Sequence, residues 1–556
     1  MTQSLWYKNS LIYCLNVESF MDGNGDGIGD FRGLIRRLDY LQGIGVGAVW
    51  LMPFHPSPRL DHGYDVADYY AVDPRFGSLG DFTEFTHECA QRGIRVMMDL
   101  VFNHTSDQHP WFQESRSSPD SPKRNWYIWS DKEPPNRHEG MVFPGKQDAV
   151  WDYDRKARAW YFHRFFKFQP DLNMENPEVQ EEILKIMGFW IKLGVSGFRL
   201  DAAPFIIAMN EHNGSGDGSG EKEFELLRSM REFSQFRQGD SVLLAEANVP
   251  PAESQDYFGP AAERLHMMFN FHVNPRIFYA LATSDAEPLK QALAESRCTR
   301  HASQWCHFLR NHDELDLSKL SEEQREKVFA AFAPEERMRL FGRGIRRRLA
   351  PMLKGDRRLI ELANSLLMSL PGTPVLRYGE EIGMGEDLTL EGRDAIRTPM
   401  QWNDDCHGGF TTADRSLVPI LEDGPYGFHS VNVSNQRREP ESLLNWTERI
   451  IRLRKELPEI GYGEFEILET EPDILALLFQ WKNADILIVH NFSGEPRETD
   501  IAFADGAARG LPLVNLLSHD HLKAGDEGRY RLVLEPYGYR WFRLGEVSEG
   551  LARDDR

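Results

Sequence analysis

Eight short β-rich runs recur along this chain, each separated from the next by a stretch with helical periodicity. The runs are Leu11–Val17, Val46–Met52, Arg95–Val101, Val195–Leu200, Val242–Ala245, Met267–Phe271, His307–Arg310 and Pro374–Tyr378. Strands that alternate with helices pair in parallel, because each crossover returns the chain to the same end of the sheet. Eight such units predict a closed (β/α)8 TIM barrel, an α/β fold. Several runs end in polar residues where a strand-to-helix loop would start: Asn103-His104, Asp201, Glu246 and His312-Asp313. Reactive groups of such barrels gather at that face.

A barrel alone does not use 556 residues. Residues 1–104 and 171–460 are assigned to it. Residues 105–170, rich in Trp, Pro, Asp and Ser, read as a subdomain inserted after the third strand. Residues 314–356 read as a charged helical insert after the seventh, and its run Arg346-Arg347-Arg348 as a solvated helix face rather than an anion site. Residues 461–546 alternate in the manner of strands and predict a separate antiparallel β-sandwich. Its strand runs are Ile474–Trp481, Asp485–Phe492 and Tyr530–Leu544. The polar tail Val547–Arg556 is expected to fray.

The acidic excess, 86 Asp and Glu against 64 Lys and Arg, argues against nucleic acid and anionic membrane as partners and suits a neutral small-molecule substrate. The N-terminus has no basic patch followed by an apolar core, and no apolar stretch approaches the ~18 residues of a membrane helix. Five scattered cysteines without a Cys-x-x-Cys pair read as reduced thiols of a cytoplasmic protein. A homo-oligomer is compatible with this composition.

The strand ends carry the chemistry. Arg199 and Asp201 are two residues apart on a strand and point the same way. The guanidinium is expected to keep Asp201 ionised, as a nucleophile requires. Glu246 has only apolar and small sequence neighbours, a setting that raises a carboxyl pKa and suits a general acid. Asp313 supplies a third acid to grip sugar hydroxyls. Such a trio implies glycosidic-bond chemistry of the retaining type, in which nucleophile and acid/base lie about 5–5.5 Å apart. His312 and His104 are natural hydroxyl donors. The loop His62-Gly63-Tyr64-Asp65 offers an aromatic face at Tyr64 and a carboxylate at Asp65 for a terminal glucose. No cofactor is expected for catalysis. A structural Ca2+ (or Mg2+) is expected on Asp22, Asn24, Asp26, Ile28 and Asp30, which place oxygens at every second residue. The twelfth position of that loop is Gly33, so it is no complete EF-hand.

Asp99–His104, Gly197–Asp201, Glu246 and Asn311–Asp313 resemble, in order, the four barrel-strand motifs of the α-amylase family (glycoside hydrolase family 13). Gln169–Asn173 and Arg397–Trp402 are similar to motifs of its oligo-1,6-glucosidase branch, and Arg343–Pro351 with Tyr378–Gly385 to the trehalose synthase group within it. The likeness runs over roughly residues 5–545. It implies a (β/α)8 barrel, an inserted B domain, a C-terminal β domain and a retaining mechanism. Asp201 would be nucleophile, Glu246 acid/base and Asp313 transition-state stabiliser. Asp65, Tyr64, Phe102, His104, Gln169, Arg199, His312 and Arg397 would hold the non-reducing glucose. The implied reaction is maltose–trehalose interconversion; the alternative is an exo-acting, hydrolytic or transglycosylating α-glucosidase on small α-glucosides. The aromatic-rich insert, with Trp151, Trp160, Tyr161, Phe162, Phe165 and Phe166, would wall the site into a pocket. The glycine- and serine-rich run 213–220 stands where the group carries another loop.

Overall fold

A computed structural model describes residues 5–143, 145–207, 224–297, 301–482, 484–503, 511–518, 521–523 and 529–545. The run 213–220, the tail from 547 and Cys298 lie outside the described residues.

Eight strands close into a barrel: β1 (Ile12–Leu15), β2 (Ala48–Leu51), β3 (Arg95–Leu100), β4 (Gly197–Leu200), β5 (Val242–Ala245), β6 (Met267–Phe269), β7 (Gln304–Phe308) and β8 (Thr373–Arg377). Each pairs in parallel with its successor in the chain, and β8 pairs with β1. Every residue of β1, β2, β4 and β5 is buried, as strands covered on both faces require. Gly197 opens β4 because a Cβ there would sit 2.6 Å from Val242 Cγ2 on β5. One strand is displaced from expectation: β7 runs from Gln304 to Phe308 rather than from His307 to Arg310. Arg310 leaves the ladder because its guanidinium donates to the carbonyl oxygens of Asp313, Ile345 and Arg347.

The outer helices follow from local signals. Ser78 and Asp81 form a capping box that starts the helix Leu79–Gln91. Asn176 caps, and Pro177 opens, the helix Pro177–Lys192, whose Ile183, Met187 and Trp190 fall on one buried face.

Between β3 and β4 lies a helix, Pro110–Ser115, and a small antiparallel sheet with Ala159–Phe162 between Trp129–Ser130 and Trp151–Asp154. Phe112, Tyr127, Trp129 and Tyr161 pack there ring against ring. Single bridges from His104 to Asp171 and from Tyr127 to Leu172 fasten the segment back to the barrel.

The segment after β7 differs from the helical expectation. It holds a three-turn helix, Glu322–Phe332, a one-turn helix, Leu349–Met352, and a three-stranded antiparallel sheet of Leu315–Asp316, Gly344–Ile345 and Arg339–Leu340. Arg346, Arg347 and Arg348 are neither helical nor solvated. Arg346 donates to the carbonyls of Arg337, Leu388, Leu390 and Gly392, Arg347 pairs with Glu386, and Arg348 pairs with Glu380 and the Tyr378 carbonyl. Main-chain oxygens of converging loops need donors, and these arginines supply them.

Beyond the barrel, six strands form one sheet and Arg497–Ile501 pairs with Tyr530–Leu534 to form a second. Ala476, Leu478, Leu487 and Val489 meet Ile501, Leu532 and Leu534 between the two sheets. The opposite face, with Leu475, Leu477, Ile486, Ile488 and Trp541, joins the barrel's core. The expected run 530–544 is broken at Tyr537, which takes a left-handed φ of 57°. Among the described residues no helix is long and apolar enough to cross a membrane. Cys14, Cys89, Cys306 and Cys406 are free thiols.

Candidate active site

The alternation of β4 sends Arg199 and Asp201 to the same side, and there they meet: Arg199 Nη1 lies 2.5 Å from Asp201 Oδ1. The same nitrogen is 2.8 Å from Asp99 Oδ1, contributed by β3, and Nη2 is 2.6 Å from Glu246 Oε2 at the end of β5. One planar guanidinium therefore bridges Asp201 to Glu246 and touches a third carboxylate behind them. Tyr64 closes the group, its hydroxyl 3.1 Å from Asp99 Oδ2 and 2.8 Å from His312 Nε2. Asp313, after β7, meets two arginines from beyond β8: Arg393 Nη1 and Arg397 Nη2 are each 3.0 Å from its Oδ1. Arg397 also donates from Nε to the His312 carbonyl.

Asp201, Glu246 and Asp313 face one cavity of about 330 Å³, with Asp61, Tyr64 and His104 also in its wall. Phe143, Phe165, Phe205 and Phe271 supply its apolar surface. Carboxylates among ring faces are the composition of a carbohydrate pocket.

Burial raises both Asp201 and Glu246 above the ordinary carboxylate range, against the pull of Arg199. Asp99, likewise raised by burial against Arg199, is pushed up to about 6. Arg199 does not hold Asp201 low, contrary to expectation, because its single charge is divided among three acids in a dry site. Asp313 goes the other way: burial would raise it, but the charges of Arg393 and Arg397 hold it well below the usual aspartate value. Burial lowers His312 and takes His104 down to about 4, so both rings are neutral near pH 7. The site thus combines one firmly ionised carboxylate with a pair whose pKa values burial raises.

The remaining expected residues sort into two sets. Tyr64 and His104 reach the cavity. Arg199, His312 and Arg397 lie one layer behind and touch those that do. Phe102 is buried packing and is absent from the cavity wall. Gln169 does not reach it either; its amide donates to Asp61 Oδ2 at 2.9 Å. Asp65 is displaced from expectation. Its carboxylate turns back into its own loop to accept from Ser57 Oγ and from the backbone N–H groups of Leu60 and Asp61. The carboxylate that faces the cavity from this loop is Asp61. Arg393, Glu314, Asn248, Asp316 and Arg343 also line the cavity, although the sequence reading assigned none of them to the site. Asn248 and Glu314 were within reach, each within two residues of a strand-end acid. In the aromatic insert Phe165 lines the cavity, whereas Trp151, Tyr161 and Phe162 are core.

In the loop 22–30, Asp22 accepts from the N–H groups of Asn24, Gly25 and Gly27 and from Thr411 Oγ1. Asp30 accepts from those of Gly23, Asn24 and Gly33. Asn24 and Asp26 each make an Asx turn. Among the described residues no three His, Cys, Asp or Glu side chains group as metal ligands. The all-oxygen donors suit a hard cation in type, although Asp22 is satisfied without one.

The catalytic-domain model of the alpha-amylase family matches residues 14–335 and 341–463, and that of the sucrose hydrolase-like C-terminal domain matches 484–543. The trehalose synthase of Thermus thermophilus is 44% identical over 98% of this chain, which spans 56% of that relative's length. The trehalose synthase/amylase TreS of Mycolicibacterium smegmatis is 40% identical over 98% of this chain and 93% of its own. Among solved structures, the trehalulose synthase MutB of Pseudomonas mesoacidophila superposes with a TM-score of 0.75 at 26% identity, over 97% of this chain and 99% of its own. With its closed barrel, its strand-end acids and these matches, the chain belongs to the α-amylase family.

Proposed function

We propose that this enzyme interconverts maltose and trehalose through a covalent glucosyl-enzyme. The observation that carries the reading is the Asp201–Glu246 pair, bridged by one guanidinium at the wall of a single sugar-sized cavity. The relatives named trehalose synthase support the choice of substrates.

In the first step Asp201 attacks the anomeric carbon of the non-reducing glucose. The glycosidic C–O bond breaks as an ester C–O bond forms, and Glu246 gives its proton to the departing oxygen. The ionised Asp313 stabilises positive charge on the ring at the transition state. In the second step the released glucose, turned in place, presents its anomeric hydroxyl. Glu246 takes that proton, the ester opens, Asp201 is regenerated and trehalose forms. Water in place of glucose gives hydrolysis. The name synthase/amylase of the Mycolicibacterium relative keeps hydrolysis of short α-glucosides as a second reading. Purified enzyme incubated with maltose separates the two: trehalose accumulates under the first, and glucose alone under the second.

A Ca2+ or Mg2+ on the loop 22–30 is part of the proposal as a structural ion. Its oxygens at alternate residues support it, and elemental analysis with a melting curve before and after chelation tests it. The free thiols support a cytoplasmic enzyme.

A further inference from the structure

The ladder between β7 and β8 ends with Phe308 opposite Val375. The main chain that carries Asp313 then leaves the sheet with carbonyls in need of donors. Three consecutive ones accept from three different arginines. The Asn311 carbonyl accepts from Arg377 Nη1 at 2.7 Å, that of His312 from Arg397 Nε at 2.9 Å, and that of Asp313 from Arg310 Nη2 at 2.9 Å.

Arg377, the last residue of β8, is fully buried and absent from the cavity wall. Its other arm, Nη2, donates to the carbonyl of Ile396. Ile396 ends the turn that carries Arg393 and directly precedes Arg397. These are the two arginines that face Asp313 Oδ1 at 3.0 Å. One guanidinium thus fastens the loop of the acid to the loop of its cations, and the bond from Arg397 to the His312 carbonyl closes the cycle.

We propose that Arg377 is a positioning residue that sets the placement of Asp313 against the charged ring of the transition state. The inference rests on the glucosyl-enzyme reading above, in which Asp313 has that role.

Both hydrogen-bond partners of Arg377 are neutral carbonyls. Burial and the neighbouring Arg348 bring its pKa down to about 10, so it is still cationic near pH 7. A buried cation on neutral acceptors is a costly donor. What the planar fork supplies is two N–H groups at a fixed spacing and angle, which a single ammonium cannot match. The spacing of the Asn311 and Ile396 carbonyls fixes the angle at which Arg393 and Arg397 meet Asp313. Stabilisation of a developing charge depends on groups already in place. Loosening the fork therefore weakens the hold on the transition state more than the hold on bound maltose.

The test compares two inhibitors of one size: deoxynojirimycin, whose ring ammonium carries the charge that the transition state develops, and neutral glucose. Arg377→Gln and Arg377→Lys are expected to raise the inhibition constant of deoxynojirimycin about tenfold, with glucose bound as before. That lies within the roughly hundredfold loss that a misplacement of about 1 Å can bring. In maltose conversion kcat falls in step and KM changes less. Arg377→Lys keeps the buried charge and serves if Arg377→Gln does not fold. Arg454→Gln is the control for general loosening. Arg454 is also buried and donates to the Gly372 carbonyl, at 3.1 Å, just before β8 begins. Its loss is expected to lower the melting temperature and leave both inhibition constants at wild-type values. Wild-type inhibition constants in a folded Arg377 variant, or the same rise in Arg454→Gln, would overturn the inference. A wild-type enzyme that binds deoxynojirimycin no more tightly than glucose would instead overturn the role of Asp313 on which it rests.

Discussion

Gln169 donates from Nε2 to Asp61 Oδ2 at 2.9 Å, joining the chain's exit from the β3 insert to the loop after β2. That loop is strained: Arg59 and His62 take left-handed φ values of 61° and 51°. Asp65 holds it in this state by accepting from Leu60 N and Asp61 N at 2.9 and 3.2 Å. Asp61 is thus aimed at the cavity by two side chains that do not enter it.

Gln169→Ala and Asp65→Asn are accordingly expected to raise KM for maltose by about tenfold with a smaller change in kcat, because they loosen a ground-state contact to the terminal glucose. Initial rates over a maltose series check this. A fall in kcat at unchanged KM would assign both residues elsewhere.

The pH profile follows from the directions of the shifts. Glu246 must be protonated to release the first product, and its raised pKa means that this proton is lost on the way towards neutrality. Asp201 must be ionised to attack, and its own raised value sets the acid limb. A plot of kcat/KM against pH should therefore be a narrow bell, falling on the alkaline side near neutrality, well below where an unshifted lysine acid would place the limb. Activity still rising above pH 8 would contradict the assignment of the proton to this pair.

Arg348 offers a test of the fold. Its side chain is fully buried against Glu380, at 3.1 Å, and the Tyr378 carbonyl, at 2.9 Å. Arg348→Ala strands a buried carboxylate, at a cost of about 3–5 kcal/mol, and should lower the melting temperature by several degrees. A solvated arginine would change stability by only about 0.5 kcal/mol, so calorimetry decides between the two settings.

The barrel was legible in the sequence because strand and helix periods differ, and because its acids sit where strands end. What failed was everything set by residues distant in the chain. Asp61 and Asp65 share one loop, and only the left-handed turns at Arg59 and His62 decide which carboxylate faces the cavity. Arg346–Arg348 reads as a charged surface until carbonyls from residues 337, 388, 390 and 392 arrive beside Arg346. Arg199 looks like the private partner of Asp201 until the parallel pairing of β3 with β4 brings Asp99 opposite it.

Trapping the covalent intermediate puts the assignment of the nucleophile at risk in a single experiment. Glu246→Gln enzyme, slowed in its second step, is treated with a fluorinated α-glucosyl fluoride and digested, and its peptides are weighed. One added fluoroglucosyl group on the peptide containing Asp201, with unlabelled Asp313, is the expected result. A label on Asp313, or a product of inverted anomeric configuration with no labelled peptide, would contradict double displacement at Asp201.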